Sequence, residues 1–278
     1  MYDFYFGTKN EIEANEAKYL LFIKRMLPRW CNSIPDSEYL AIHNSLLLLP
    51  SAGKKPILVE TGAGASTIAL LNYAMKHNGV LYSWDFNGPK GAFLRSVCTD
   101  TLGSYYGKSI FDHWKFIAYN SLSQHLGVSI LGELNASVDF CFFDSEHTSE
   151  VLLGELKGVN QYLKENAIIA IDDANYNYVH TNISYINMLR KKLDLPPVQN
   201  PSDNVCKPFY MEVETFLRSH WTNVEYLQDT YKKEYKTDLF WSYFSSDREA
   251  MGKEGMEKLD SLEHRFDSWK VSGRRISS

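Results

Sequence analysis

Between residues 57 and 173, short apolar runs alternate with longer amphipathic stretches. This alternation limits the fold more than any other feature of the chain. The runs are ILVE (57–60), VLYSWD (80–85), KFIAY (115–119), VDFCFFD (138–144) and AIIAIDD (167–173). They are apolar on both faces rather than on alternate residues. Strands of that kind are buried on both sides, as in a parallel sheet covered by helices. The clearest intervening helix is SEVLLGELKGVNQYLKE (149–165), where Leu152, Leu156, Val159 and Leu163 fall at spacings of 4, 3 and 4. The expected class is therefore α/β, with helices on both faces of a doubly wound sheet. Further on, NVEYLQDTY (223–231) and DLFWSYFSS (238–246) flank the charged KKEYKT. They read as a strand, a turn and an antiparallel return strand.

The flanks divide the chain into three parts. Residues 1–54 read as an N-terminal helical cap. Thr8 and Glu11 have the spacing of a capping box ahead of EANEAKYLLFIKRML, which Pro28 stops. A second helix is expected over Asp36–Leu49, ended by Pro50. Residues 55–246 hold the sheet. Within them, 193–210 carries four prolines and little periodicity, which suggests an insertion loop or lid. In 247–278, Leu259, Leu262, Phe266 and Trp269 keep helical spacing, so a C-terminal helix and a frayed tail are expected.

Composition narrows the partners. The formal charge is -5 and the pI about 5.9, with no basic run to track a phosphate backbone, so nucleic acid is not expected. Cys31, Cys98, Cys141 and Cys206 are scattered without a CxxC pair, which suggests reduced thiols and neither disulfides nor zinc. The first residues, MYDFYFGTKNEIE, lack the basic and apolar regions of a signal peptide. The apolar run around LLLLP (46–50) is far below the roughly 20 residues that span a bilayer. The expectation is a cytoplasmic protein with no membrane partner.

The first run opens into VETGAGAST. Glycines after a strand permit a tight turn with positive φ and let a ligand approach the backbone. The helix that follows aims its free N–H groups at the same place. A dinucleotide fingerprint would need a third glycine, but Thr67 stands there. Glu60, just before the turn, would repel a pyrophosphate and welcome an ammonium group. Asp85 ends the second run, where an acid can take both hydroxyls of a ribose. Asn120 and Ser121 follow the third run, where polar groups can meet an adenine edge.

Asp144 ends the fourth run, and Asp172 and Asp173 the fifth. Adjacent parallel strands lie about 4.8 Å apart, so these acids converge at one sheet edge if the strands are neighbours. A hard divalent cation such as Mg²⁺ would relieve their repulsion. Asp is also a good helix N-cap, and capping alone is the plainer role for Asp144 and for the Asp172–Asp173 pair. Tyr176, Tyr178 and His180 follow the acids and read either as acceptor-pocket walls or as local packing.

Together VETGAGAST, LYSWD, FIAYNS, VDFCFFDSEH and AIIAIDDAN resemble the class I S-adenosylmethionine-dependent methyltransferases. The likeness covers roughly residues 55–246. It implies a Rossmann-like seven-stranded sheet of order 3-2-1-4-5-7-6, mostly parallel with an antiparallel last strand. It also implies that Glu60, Gly62 and Gly64, with Ser66, hold the methionine end of S-adenosyl-L-methionine. Asp85 would hold the ribose, and Asn120 and Ser121 would lie near the adenine. FDSEHTSE followed by IDDAN is similar to the small-molecule and sugar O-methyltransferases with an Asp-x-x-His turn and an Asp-Asp pair. In the metal-dependent relatives, acids at the positions of Asp144, Asp172 and Asp173 hold Mg²⁺. Ser145 and Glu146 depart from the usual turn.

The expected chemistry is transfer of a methyl group to a hydroxyl of a small-molecule or glycan acceptor. His147 is the expected base and Asp144 the alternative. The competing readings are an NAD(P)-dependent oxidoreductase and a non-catalytic cofactor-fold module. The N-terminal helices would suit a homodimer.

Overall fold

The computed structural model describes residues 7–34, 36–50, 55–119, 130–146, 149–172, 191, 197, 210–226 and 269–274. The chain begins with α1 (Lys9–Ala14) and α2 (Glu16–Met26). Thr8 caps α1 through the expected box: its hydroxyl accepts from the Glu11 N–H, and Glu11 accepts from the Thr8 N–H. The single expected helix is broken at Asn15, whose side chain accepts from the Lys18 N–H and starts α2 afresh. A 3₁₀ turn at Arg29–Cys31 leads to α3 (Asp36–Leu47).

The sheet and its helices follow: β1 (Ile57–Thr61), α4 (Ala65–Lys76), β2 (Val80–Asp85), α5 (Gly88–Cys98), β3 (Trp114–Ala118), β4 (Val138–Phe143), α6 (Ser149–Asn160), β5 (Leu163–Ile171), α7 (Tyr210–His220), β6 (Trp221–Tyr226) and β7 (Trp269–Arg274). Five strands run parallel in the order β3-β2-β1-β4-β5. This is the α/β, Rossmann-like architecture. At the β5 edge, β7 pairs antiparallel with β5, and β6 pairs antiparallel with β7.

Three expectations about elements need correction. Helix α6, expected to run on to Glu165, ends at Asn160, and Leu163 begins β5 opposite Val138. The Tyr162 N–H bonds the Val159 carbonyl, and the Val138 N–H bonds the Tyr162 carbonyl, so the chain turns there into the sheet. The stretch 269–274, expected as the end of a helix and a frayed tail, is strand β7. Its main chain is held between β5 and β6, so ladder bonding prevails over the helical spacing of the residues before it. Helix α7 was not expected; it buries Val213 and Leu217, one turn apart. The expected strand at 238–246 lies outside the described residues, as does 193–210 apart from Pro197 and Tyr210.

The sheet separates two cores. Under one face, Leu58, Leu81, Phe140 and Phe142 meet α4 and the N-terminal helices, including Leu20, Ile23, Tyr39 and Ile42. Under the other, Val59, Trp84, Cys141, Phe143 and Ile169 meet α6 and α7. The N-terminal helices therefore share this core with the sheet. Lys24 is buried among them and donates to Asp36, which also receives Arg25. Cys31, Cys98 and Cys141 are free and buried. Among the described residues, no helix is long and apolar enough to cross a membrane.

Candidate functional site

The C-terminal tips of β1, β2, β4 and β5 form one edge, laced by main-chain bonds. The Gly62 N–H bonds the Trp84 carbonyl at 2.8 Å, the Asp144 N–H bonds the Thr61 carbonyl at 2.9 Å, and the Asp172 N–H bonds the Phe143 carbonyl at 2.9 Å. In this register Gly62 follows the Thr61–Phe143 pair, and Asp144 and Asp172 follow the Phe143–Ile171 pair. Strands β4 and β5 are neighbours, as the expected approach of Asp144 to Asp172 requires, and the main chain of both residues lies at one edge with Gly62.

Gly62 is at φ +84°. A Cβ built there would lie 1.8 Å from the Asp144 carbonyl oxygen, so only glycine fits between the two strand tips. Gly64 is different. It is the N-cap of α4, and a Cβ there would meet only the Cys31 carbonyl, at 3.3 Å. The 3₁₀ turn of the N-terminal region therefore lies against the glycine turn.

Glu60 shares the face of Leu58 by strand alternation and sits beside Ser83 in register. It is fully buried. Thr67 donates to Oε1 at 2.7 Å, Ser83 to Oε1 at 2.5 Å and Ser66 to Oε2 at 3.1 Å. The Trp114 indole N–H donates to Ser83, and the Gly64 N–H donates to Thr67. Burial pushes the Glu60 carboxyl up to about 7, against the pull of the Ser83, Thr67 and Ser66 hydroxyls and with a further push from Asp85. Glu60 and Ser66 were expected to line the ligand. In the structure both are buried, and their polar atoms bond within the chain's own network beneath the turn.

On the opposite face, Thr61 points toward α6 and donates to Glu155 Oε2 at 3.2 Å, while Ser145 donates to Glu155 Oε1 at 2.7 Å. Glu155 is buried at 6 % exposure. It ties the β1 tip to the turn that follows Asp144. The two faces of the β1 tip are thus each pinned by one buried carboxylate. Sequence reasoning missed Glu155, Thr67 and Ser83. The available signal for Glu155 was an acid next to Leu156 on the buried stripe of a helix.

Asp85 ends β2 and is buried. The Asn87 N–H donates to Oδ1 at 2.7 Å, and the Lys90 ammonium pairs with Oδ2 at 2.5 Å. Asn120, Ser121, His147, Asp173, Tyr176, Tyr178 and His180 lie outside the described residues. Among the described residues, no group of three or more His, Cys, Asp or Glu side chains is arranged to hold a metal ion.

Residues 59–174 match the family model described as "Methyltransferase domain". Residues 59–174 are therefore a methyltransferase domain. No curated protein matches the chain. Among solved structures, the methyltransferase domain and its flanks share their fold with three similar proteins. A protein of Klebsiella pneumoniae assigned as an O-methyltransferase is 12% identical, with a TM-score of 0.51, covering 99% of this chain and 100% of that one. The O-methyltransferase of Bacillus cereus, solved with S-adenosylhomocysteine, is 9% identical, with a TM-score of 0.50, covering 99% and 100%. The cofactor-bound Rv0187 from MTB is 11% identical, with a TM-score of 0.50, covering 97% and 92%.

The donor set of this edge fits S-adenosylmethionine. Its ribose diol needs carboxylate acceptors, and its methionine end carries positive charge. The edge offers Asp85 and Asp144, together with a glycine turn that feeds the N-terminus of α4. A pyrophosphate would face the same acids with repulsion, which disfavours a dinucleotide.

Proposed function

We propose that the chain methylates a hydroxyl of a small-molecule acceptor, a sugar or other hydroxylated metabolite, or a glycan. One observation carries this reading: Asp144 is locked beside the glycine turn, with Asp172 next to it across the strand tips. A cofactor held at the turn would therefore lie beside the main chain of Asp144, and in this reading the Asp144 carboxylate faces it. The O-methyltransferase neighbours from Klebsiella pneumoniae and Bacillus cereus support oxygen as the acceptor atom.

S-adenosylmethionine supplies an electrophilic methyl on a sulfonium. In this reading the Gly62–Gly64 backbone receives the methionine end, and Glu60 with Ser66 keeps that backbone in shape. Asp85 receives the ribose, and Asn120 with Ser121 receives the adenine. The acceptor oxygen bonds the methyl carbon as the S–C bond breaks, and the electron pair stays on sulfur. The hydroxyl proton passes to His147, with Asp144 as the alternative base. In-line placement of the acceptor supplies much of the rate. Asp144, Asp172 and Asp173 are the acids that would hold a divalent cation and lower the hydroxyl's pKa.

The test is transfer of labelled methyl from S-adenosylmethionine to a panel of sugars, phenols, catechols, amines and carbon nucleophiles, with and without a chelator. The reading expects product with at least one hydroxylated acceptor and its loss in Asp144→Ala. Label reaching only nitrogen or carbon acceptors would refute it, and activity untouched by the chelator would remove the metal.

A further inference from the structure

Asp85 is the acid that the methyltransferase reading assigns to the ribose, and the present inference rests on that reading. We propose that Lys90 is a cofactor-pocket residue that occupies Asp85 in place of the ribose hydroxyls and gives way to them on binding. The Asp85 side chain is only 3% exposed, and both of its oxygens are engaged by the chain itself. For a diffusing ribose to reach this carboxylate, whatever covers it must move.

Two groups cover it, and they differ in freedom. The Asn87 N–H belongs to the N-cap of α5, whose side chain also accepts from the Lys90 N–H at 3.0 Å. Moving it would unwind the helix start. Lys90 reaches Asp85 on a flexible four-carbon stem, and its side chain is 19% exposed, so it has a path to solvent.

Helix preference does not explain the lysine's position. Lys90 lies in the first turn of α5, where the helix dipole opposes a cation. Its attraction to Asp85 is what holds it there. The surroundings also form a pocket wall. Phe93, three residues on and on the same side of α5, lies 5.1 Å from Trp30 between ring centroids. Trp30 belongs to the 3₁₀ turn whose Cys31 carbonyl abuts Gly64. Lys90 therefore sits between the ribose acid and the turn that roofs the glycine loop. Displacement of Lys90 sets the cofactor affinity below what Asp85 alone would give, because binding must first break an ion pair.

The experiment is calorimetric titration of the full chain with S-adenosylhomocysteine, comparing wild type with Lys90→Met. The variant should bind at least about fivefold tighter, the worth of a modest ion pair. Equal or weaker binding overturns the proposal. A second measurement does not depend on the variant folding: acylation of the Lys90 amine by an N-hydroxysuccinimide ester, read by peptide mass spectrometry. Saturating S-adenosylhomocysteine should speed modification at Lys90, and an unchanged or slower rate overturns the proposal. A folded wild type that binds neither S-adenosylhomocysteine nor S-adenosylmethionine would overturn the methyltransferase reading, and this inference with it. Binding by the wild type with neither expected change overturns the role of Lys90 alone.

Discussion

Gly62→Ala is the substitution whose effect the structure determines most fully. Two penalties add. The residue sits at φ +84°, where an L side chain costs about 1–2 kcal/mol. The new Cβ would also lie 1.8 Å from the Asp144 carbonyl oxygen and 2.7 Å from its carbon. These are backbone atoms fixed by the Asp144–Thr61 bond, while Gly62 is fixed by its own bond to Trp84. Forcing the strand tips apart belongs with overpacking, at about 1–3 kcal/mol. The sum is about 2–5 kcal/mol. Gly64→Ala is the control: its Cβ meets one carbonyl at 3.3 Å, so its cost should stay below about 1 kcal/mol. Urea unfolding of both variants reads the difference. With a slope of about 2 kcal/mol/M, Gly62→Ala should lower the midpoint by about 1–2.5 M. A shift equal to that of Gly64→Ala would refute the claim that the glycine turn and the Asp144 tip are packed backbone to backbone.

Two further predictions concern the buried carboxylates. Glu60 has its carboxyl raised from 4.5 to about 7, so the folded state keeps a proton that the unfolded chain has lost. Stability should fall as pH rises from about 4.5 to about 7 and level off above, with about 3 kcal/mol at stake. Glu60→Gln should remove that dependence, so the variant gains on wild type by this amount between pH 5 and pH 8 in denaturant titrations; a pH-independent difference would contradict it. Glu155→Ala should cost about 2–3 kcal/mol by stranding the Thr61 and Ser145 hydroxyls and should weaken S-adenosylhomocysteine binding, whereas Glu155→Gln, which can still bond both, should recover most of each loss. Calorimetry checks the binding, and an Ala and a Gln variant behaving alike would argue against the tie.

The central parallel strands were legible because a strand buried on both faces leaves a continuous apolar run, as in β1 and in Ala167–Ile171 of β5; β3, at the sheet edge, is buried only at Trp114 and was read from its apolar residues alone. The glycine turn and the acids at the tips could be read as well, since they interrupt those runs at the same point. What could not be read is what pairing creates. Leu163 fits the stripe of Val159 and the inner face of a strand equally well, and only its bond partners across from Val138 decide between them. Strand β7, WKVSGR, has no apolar run, because its place is set by main-chain bonds to β5 and β6. Glu60 looked like a ligand-facing acid. Its neighbour Ser83 is 23 residues away, and no local pattern announces that register puts them side by side. The same holds for Lys90, whose hold on Asp85 depends on how α5 leaves the strand.

If the tips of β1, β2 and β4 seat S-adenosylmethionine, a crystal of the chain soaked with S-adenosylhomocysteine should show density with the ribose hydroxyls on Asp85 and the amino-acid end along the Gly62–Gly64 backbone beside Asp144. Density for the ligand anywhere else on the molecule would contradict this seat.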